Sequence, residues 1–382
     1  MQLDQTHPAI ADLARTGRRR IPHFAWEYLD SAVGEEQART RAEAALDSVR
    51  LMPHALRAIT EPDLSARLLG RTHPLPFGFA PVGMSGLVWP GAEEILARLA
   101  AREGIPYTLS TVAAATPEQV GPRAGAQGWF QLYPPGDPEI RDDLCRRART
   151  AGFHTLVLTV DVPVASRRER LRRARLSNPM RLTPRTVLDA ARRPRWALGQ
   201  LARGIPRLAT LEPYAETAQA RGSTEHVGYL LRCAPDLAYL RALRRAWEGP
   251  LVVKGVLNAN DARAAVEAGA DAIWVSNHGG RQFDGGPAPI HELPAIRAAL
   301  GPEVPVICDS GIRSGLDILR ALALGADFAM VGRAVHYGLA AFGAEGAAHA
   351  VHVLRAQMTA DMCQLGCERI ADLPRHVVTT ER

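Results

Sequence analysis

Eight short apolar runs, separated by stretches rich in Ala, Leu and Arg, constrain the fold of this 382-residue chain more than any other feature. The runs occupy residues 76–81, 106–110, 128–133, 155–161, 250–255, 272–277, 304–309 and 327–332. Alternation of β-type runs with helical stretches is typical of a parallel sheet built from βα units. Eight such units predict a closed (β/α)8 barrel, a single-domain α/β fold of the TIM-barrel class. An open, doubly wound sheet is the structural alternative.

The spacing of the runs divides the chain into three parts. Most runs begin roughly 20 to 30 residues apart, but a gap close to 95 residues separates the starts of the fourth and the fifth. We therefore predict a barrel domain at 76–382 with an insertion at 165–249, after the fourth strand. Residues 1–75 are expected to form an N-terminal helical cap, with one helix at 21–29. One or two helices at 340–367 are expected to close the barrel.

The insertion carries most of the excess positive charge. The chain has a formal net charge of +6, and residues 167–207 contain 13 Arg but two acidic residues. Trp196 and several leucines lie among these arginines, a composition typical of segments that bind an anionic membrane surface. We predict peripheral membrane association through 177–210, with an active-site lid or an oligomer contact as alternatives. Nucleic-acid binding is not expected, because no recognised module accompanies the charge.

Cysteine usage and hydropathy bear on localisation. The five cysteines are scattered, which suits a reducing cytoplasm better than a disulfide framework. No metal site is expected, since no histidine or acid cluster accompanies Cys363 and Cys367. The N-terminus lacks a signal-peptide core, and no run of about 18 apolar residues occurs. We predict a cytoplasmic protein, peripheral on the inner face of the cell membrane, that does not span a bilayer.

Polar residues follow the apolar part of successive runs, which predicts an active site. A barrel gathers its strand ends at the C-terminal mouth, where enzymes of this fold hold their catalytic residues. A general strand-ending role would explain Asn or Asp, but not Lys, Gln and His at successive ends. The polar residues are Ser110, Gln131, Tyr133, Thr159, Asp161, Lys254, Asn277, His278 and Asp309.

Three segments suggest specific chemistry. The loop SNHGGRQFDGG at 276–286 offers His278 as a general base and Arg281 as a partner for a carboxylate, with Asp161 able to hold the imidazole. The glycine-rich turns CDSGIRSG and MVGRA, each with an arginine, predict a phosphate site. Lys254 is the one lysine of the chain. It is either a Schiff-base nucleophile, as in an aldolase, or a fixed charge that stabilises an anionic cofactor.

Together, SNHGGRQFDG, LTVDVP, FQLY, VVKGV, DSGIRSG and VGR resemble the FMN-dependent 2-hydroxy acid dehydrogenases and oxidases, which include L-lactate and mandelate dehydrogenases and glycolate oxidase. The resemblance extends over residues 21–373. It implies a homotetramer that oxidises a lactate- or mandelate-like L-2-hydroxy acid to the 2-oxo acid and passes electrons to a quinone or another acceptor. A soluble oxidase that reduces O2 to H2O2 is the alternative within the family. A Schiff-base aldolase and a non-catalytic membrane-binding protein are the alternatives outside it.

The resemblance also implies residue roles. Lys254 would stabilise the anionic reduced flavin, and His278, oriented by Asp161, would remove a proton from the substrate. The carboxylate and hydroxyl of the substrate would be bound by Arg168, Arg281, Tyr28 and Tyr133. The other FMN-binding residues would be Pro81, Val82, Gly83, Ser110, Gln131, Thr159, Asp309, Gly311, Arg313, Gly332 and Arg333.

Four positions depart from the family pattern. Gly34 replaces an acidic residue of the cap, and Val82 replaces a threonine beside the flavin. Val112 stands where some members carry tryptophan, which predicts a roomier pocket. Ser310 replaces a glycine, a change expected to have little effect.

Overall fold

Eight parallel strands close into a barrel in the computed structural model, which describes residues 2–174, 183–214 and 232–378, with the backbone alone for Gln2 and Arg185. Seven of the eight predicted runs contain one of these strands, and the fifth, 250–255, ends one residue before its strand does, so the barrel is confirmed and the doubly wound alternative is wrong. The strands are β3 (Phe77–Phe79), β4 (Tyr107–Ser110), β5 (Gly128–Leu132), β6 (Thr155–Thr159), β7 (Leu251–Val256), β8 (Ala272–Val275), β9 (Val306–Cys308) and β10 (Phe328–Val331).

Strand register places the predicted polar residues side by side at the barrel mouth. Ser110 is paired with Gln131, and Thr159 with Lys254. Several strands end before the predicted run does, so Tyr133, Asp161 and His278 lie in the loops that follow β5, β6 and β8. A loop position leaves each side chain able to turn toward the axis of the barrel.

The opposite end of the barrel is plugged by a hairpin. Its antiparallel strands are β1 (Ala66–Leu68) and β2 (Arg71–His73). Leu68 is buried in an apolar cluster inside the barrel with Trp129, Trp274 and Phe328. The interior of the barrel at this end is therefore a packed apolar core.

Helices surround the barrel and cover its mouth. In the described ranges they are α1 (Gln2–Thr6), α2 (Ile10–Arg20), α3 (His23–Asp30), α4 (Gln37–Ser48), α5 (Ser85–Val88), α6 (Ala92–Glu103), α7 (Pro117–Ala124), α8 (Pro138–Thr150), α9 (Glu169–Arg173), α10 (Pro184–Ala191), α11 (Pro194–Arg203), α12 (Leu237–Ala246), α13 (Ala259–Glu267), α14 (Pro289–Leu300), α15 (Gly315–Ala323), α16 (Arg333–Phe342) and α17 (Ala344–Leu365). Short 3-10 helices occupy Gly125–Gln127, Glu212–Tyr214 and Ile370–His376. The cap helix predicted at 21–29 is α3, and the two C-terminal helices are α16 and α17.

A carboxylate from the loop after β8 joins the cap to the barrel. Asp284 accepts hydrogen bonds from the backbone N–H groups of Glu35, 3.0 Å, and Ala38, 2.8 Å, at the start of α4. Gly34 has φ +60°, and a Cβ there would lie 2.6 Å from Oδ2 of Asp284. Glycine at this position therefore lets the cap approach the loop, which explains the departure noted in the sequence.

The insertion packs inward through the residue that was predicted to face a membrane. Trp196 on α11 is buried, its Nε1 donates to the carbonyl oxygen of Leu87 at 3.0 Å, and its ring meets Phe24 edge-on. The expectation that Trp196 inserts into lipid is therefore wrong. Residues 177–182 of the predicted segment lie outside the described residues. No helix in the described ranges is long and apolar enough to cross a membrane.

Candidate active site

A single cavity of about 490 Å³ at the barrel mouth brings together most of the predicted site residues. Barrel loops, the cap and the start of the insertion all contribute to its wall, and its size is typical of a small-molecule site. Ser110, Gln131 and Thr159 are buried at the strand ends. The predicted residues that line the cavity are Tyr28, Pro81, Val82, Gly83, Tyr133, Arg168, Lys254, His278, Arg281, Asp309, Gly311, Arg313, Gly332 and Arg333.

His278 lies between a carboxylate and a phenol. Its Nδ1 is 3.1 Å from Oδ1 of Asp161, and its Nε2 is 3.3 Å from the hydroxyl of Tyr133. The residue has φ +57°, and its backbone N–H donates to Oγ of Ser276 at 3.0 Å. The carboxylate fixes the tautomer that leaves Nε2 facing the cavity as a proton acceptor.

The pKa values of this pair follow from burial and neighbouring charge. Burial has the largest effect on His278 and lowers its pKa; Lys254 and Arg281 lower it further, while Asp161 opposes them. For Asp161, burial alone would raise the pKa, but His278, Lys254 and hydrogen bonds outweigh it, so the pKa is lowered. The site therefore holds a neutral imidazole beside an ionised carboxylate at neutral pH.

Lys254 is held as a buried cation. Its Nζ donates to Oγ of Ser276 at 2.8 Å and lies 3.5 Å from Oδ2 of Asp309. The ammonium also lies 5.3 Å from the ring centroid of Trp274. An ammonium with these partners is a fixed charge, which does not support the Schiff-base alternative.

Three buried side chains at the strand ends offer polar atoms to a ligand. Oγ of Ser110 donates to Oε1 of Gln131 at 2.9 Å, which orients that amide. In the described part of the chain, neither Nε2 of Gln131 nor Oγ1 of Thr159 has a hydrogen-bond partner. Buried polar groups without a partner are costly, so these atoms indicate that something binds against them.

Two arginines of the mouth bind the backbone of the cap. Arg281 donates to the carbonyl oxygens of Tyr28, Leu29 and Ser31 at 3.0–3.3 Å. Arg333 donates to Leu29, Ser31 and Gly279 at 2.8–3.2 Å. Burial, reinforced by neighbouring arginines, lowers the pKa of Arg281 well below its ordinary value and that of Arg333 to about 10. The contacts hold Tyr28 over the cavity, and its hydroxyl donates to the carbonyl oxygen of Gly83 at 2.9 Å.

Arg168 completes the cationic wall on the insertion side. Its guanidinium lies 5.4 Å from the ring centroid of Tyr28, and that of Arg281 lies 5.6 Å from it. Nη1 of Arg168 is buried and has no hydrogen-bond partner among the residues that the structure describes. Two guanidinium groups around one tyrosine therefore form a site for an anion.

Three residues of the site were not predicted from the sequence. Ser276 and Ser310 hold the loop of His278 through hydrogen bonds. Arg232, just before α12, places its guanidinium 3.7 Å from the ring centroid of Tyr133. Ser276 is the first residue after β8 and Ser310 the second after β9, a signal that could have identified them. Arg232 lies in the insertion and carries no such signal.

The arrangement fits FMN. Buried polar atoms of Gln131 and Thr159 and the ammonium of Lys254 suit a flat heterocycle with several hydrogen-bonding atoms. The turn that carries Gly311 and Arg313 lies on the same cavity and suits a phosphate. An added Cβ at Gly332 would find its nearest atom 3.6 Å away, so the loop after β10 leaves room for a ligand.

Comparison with known proteins agrees with this fit. The family described as FMN-dependent dehydrogenase matches residues 17–380. An L-lactate dehydrogenase of Ectopseudomonas mendocina (strain ymp) is 38% identical over 378 residues, covering 98% of this chain and 99% of the relative. An L-lactate dehydrogenase of Xanthomonas axonopodis pv. citri (strain 306) is 39% identical over 381 residues, covering 98% and 97%.

Solved structures give the same result. A monotopic membrane protein, (S)-mandelate dehydrogenase, has a TM-score of 0.90 and 34% identity, and the match covers 97% of this chain and 98% of that one. A soluble mutant of the membrane-associated (S)-mandelate dehydrogenase from Pseudomonas putida has a TM-score of 0.83 and 33% identity, covering 97% and 99%. The predicted family, barrel and cofactor are confirmed. The chain belongs to the FMN-dependent dehydrogenases, and it is a flavoprotein oxidoreductase.

Proposed function

We propose that the chain oxidises a small L-2-hydroxy acid, lactate- or mandelate-like, to the 2-oxo acid and passes the electrons to a quinone or another acceptor. The observation that carries this proposal is His278, held by Asp161 and adjacent to Tyr133, facing a cavity whose wall includes two arginines. Bound FMN supplies the acceptor of two electrons. The L-lactate dehydrogenase relatives and the mandelate dehydrogenase structures support this substrate class.

The protein residues bind the acid and move one proton. Arg168 and Arg281 bind the carboxylate, and in the described part of the chain three of the five N–H groups of Arg281 are engaged by the cap, which leaves two for the substrate. Tyr133 binds the 2-hydroxyl. Nε2 of His278 is 3.3 Å from the same phenol, so it can take a proton at this position while Asp161 stabilises the resulting imidazolium.

Anaerobic spectroscopy tests the activity. The purified holoenzyme is mixed without oxygen with L-lactate, L-mandelate and their D-enantiomers, and the flavin absorbance is followed. We expect bleaching by at least one L-acid and not by its enantiomer. The enzyme contacts the substrate at three fixed points: its carboxylate, its hydroxyl and the proton that the base removes. No bleaching by any 2-hydroxy acid contradicts the proposal. Reoxidation by a soluble quinone faster than by O2 supports the dehydrogenase, and the reverse order supports the oxidase alternative.

We further propose that the insertion binds an anionic membrane surface from the cytoplasmic side. Apolar side chains of α10, α11 and the turn after them are exposed to solvent beside arginines: Val187 51%, Leu188 53%, Leu198 66%, Leu201 80% and Ile205 48%. Exposed leucines among cations suit a membrane interface. A structural relative described as a monotopic membrane protein supports association with a membrane.

Vesicle sedimentation with variants that introduce a negative charge tests this interface. We expect Leu198→Glu with Leu201→Glu to abolish binding to phosphatidylglycerol vesicles while FMN content stays unchanged. Leu56→Glu, at an exposed leucine of the cap, is the matched control. Point variants are preferable to deletion, because deletion would also remove the packing of Trp196 against Leu87. Unchanged sedimentation of the double variant contradicts the interface.

The resemblance to the family also supports a homotetramer. Sedimentation velocity of the holoenzyme in detergent-free buffer tests this proposal, and a monomeric species contradicts it.

A further inference from the structure

The hydroxyl of Ser310 uses its full hydrogen-bonding capacity. Its Oγ accepts the backbone N–H groups of Asn277 at 3.3 Å and Gly279 at 3.1 Å, and it donates to Oδ1 of Asp309 at 2.7 Å. A hydroxyl has one donor and two acceptor lone pairs, so no capacity remains. The two amides flank His278, and one side chain from the loop after β9 therefore holds the loop after β8, which carries the base.

The backbone of Ser310 adopts a conformation that favours glycine over serine. Its φ is +79°, a left-handed conformation that is unfavourable for a residue with a Cβ and favourable for glycine. Glycine would therefore adopt this backbone conformation at a lower cost in free energy. It is also the residue that the family pattern predicts. The strained backbone is offset by what the side chain binds.

A series of polar contacts leads from Ser310 to Lys254 and from Lys254 back to the backbone of His278. Asp309, which binds the hydroxyl through Oδ1, lies with Oδ2 3.5 Å from Nζ of Lys254. That ammonium donates to Oγ of Ser276, which accepts the backbone N–H of His278 at 3.0 Å. Both ends of the loop around His278 are thus tied to one polar ring.

We propose that Ser310 is a positioning residue, which acts through the loop 277–279 to hold His278 at its reacting distance and couples that loop to Asp309 and Lys254. The inference rests on the proposed role of His278 as the base. It differs from a role in FMN affinity, which would act through Asp309 alone. It also differs from a role in fold stability, which would favour glycine at this position.

Two substitutions separate the hydroxyl from the backbone. Ser310→Ala removes the hydroxyl and keeps the unfavourable conformation, whereas Ser310→Gly removes the hydroxyl and relieves it. Ala58→Gly is the matched control, because Ala58 is exposed and has φ +53° far from the site. Each holoenzyme is examined at saturating FMN by anaerobic flavin reduction, by hydrogen exchange of the peptide that contains 277–280, and by thermal unfolding.

We expect both Ser310 variants to lower the limiting rate of flavin reduction by about 10-fold, a loss typical of one or two hydrogen bonds at a reacting group. The concentration of L-2-hydroxy acid giving half-maximal reduction should change by less than about 3-fold, because Arg168 and Arg281 are unaffected. Exchange at 277–280 should accelerate in both variants. Ser310→Gly should unfold at a higher temperature than Ser310→Ala, although the limiting rate of flavin reduction falls equally in both.

Three results would overturn the proposal: unchanged exchange at 277–280, an unchanged limiting rate at saturating FMN, or a rate loss in Ser310→Ala that Ser310→Gly does not share. Failure of wild-type holoenzyme to be reduced by any 2-hydroxy acid would instead overturn the proposed function. The exchange measurement needs no substrate, so it distinguishes the two failures.

Discussion

The imidazole of His278 is subject to opposing influences that set the pH range of the reaction. Burial, Lys254 and Arg281 lower its pKa below the ordinary 6.5, and Asp161 raises it. Only the neutral imidazole accepts a proton, so activity should be lost as pH falls through this lowered pKa. We expect kcat/KM to rise with pH to a plateau through a midpoint below 6.5. A midpoint above 7 would contradict the assignment of His278 as the base.

Asp161→Asn tests the partner of the base. The substitution removes the negative charge that raises the pKa of His278, so the acid-side midpoint of kcat/KM should move to still lower pH. The rate on the plateau should fall by about 100-fold or more, since the imidazolium loses its counter-ion and its orientation. The pH profile of flavin reduction measures both effects. A rate loss without any shift of the midpoint would indicate that Asp161 only supports the fold.

His278→Ala should bind FMN normally and lose turnover by several orders of magnitude, as removal of a general base can do. Flavin content, measured from the absorbance of the purified protein, reports on folding of the site. His291→Ala, on the exposed side of α14, is the matched control and should retain full turnover. Retained turnover in His278→Ala would refute its role.

Sequence alone could identify the residues whose position depends on their own strand. His278 and Asp161 lie just after strands and Lys254 lies in the C-terminal half of one, and the barrel brings such positions together whatever the rest of the chain does. The contacts of Arg281 and Arg333 with the cap could not be predicted, because their acceptors are backbone oxygens of residues 28–31, about 250 and 300 positions away in the chain. The role of Ser310 likewise depends on a dihedral angle that the sequence does not reveal.

At the scale of elements, helix α9 at the start of the insertion is joined to the cap helix α3 by ion pairs. The guanidinium of Arg170 binds both carboxylate oxygens of Glu27 at 2.7 and 3.0 Å, and it also contacts Asp30 and Glu36 at 3.0–3.1 Å. Glu27 and Asp30 are buried. Since α9 follows Arg168 directly and α3 carries Tyr28, this network sets the distance between two sides of the cavity.

Arg170→Met should therefore affect stability and substrate binding together. The substitution leaves the buried carboxylate of Glu27 without its guanidinium partner, whereas Asp30 and Glu36 keep Arg39. Removing one partner of such a pair costs about 3 kcal/mol of unfolding free energy. The substrate KM should rise, because Arg168 is no longer held opposite Arg281. Thermal unfolding and steady-state kinetics measure these effects, and Arg173→Met, at an exposed arginine of the same helix, is the control. An unchanged unfolding temperature would show that the network contributes little.

The insertion illustrates where element-level prediction fails. Its position after the fourth strand follows from spacing alone, and helices α10 and α11 form there. The sequence does not say which side of α11 faces the protein. Trp196 faces inward because its N–H and that of Gln200 find the carbonyl oxygens of Leu87 and Gly86 at 3.0 and 2.6 Å. Those acceptors lie more than 100 residues away in the chain. Composition therefore predicted that Trp196 contacts lipid, whereas tertiary contacts bury it in the protein.

At the scale of the whole molecule, barrel, cap and insertion enclose a strongly cationic cavity. Among the described residues its lining includes Arg168, Arg172, Arg232, Lys254, Arg281, Arg313 and Arg333 against the single carboxylate of Asp309. Burial and the repulsion of Arg313 and Arg39 lower the pKa of Arg333 to about 10. Cations crowded in this way destabilise the fold until anions bind among them.

Removal of FMN should therefore lower the unfolding temperature, and the phosphate should account for much of the difference. A ligand present at about 100 times its Kd stabilises the folded state by about 2.7 kcal/mol, which corresponds to roughly 3 °C in a chain of this size. Differential scanning fluorimetry of the apoprotein with FMN, riboflavin or inorganic phosphate separates the contributions, because riboflavin has the ring without the phosphate. We expect FMN to raise the unfolding temperature most, phosphate alone to raise it measurably, and riboflavin to raise it less than FMN. Equal shifts with riboflavin and FMN would show that the ring alone stabilises the barrel mouth and that Arg313 and Arg333 do not bind a phosphate.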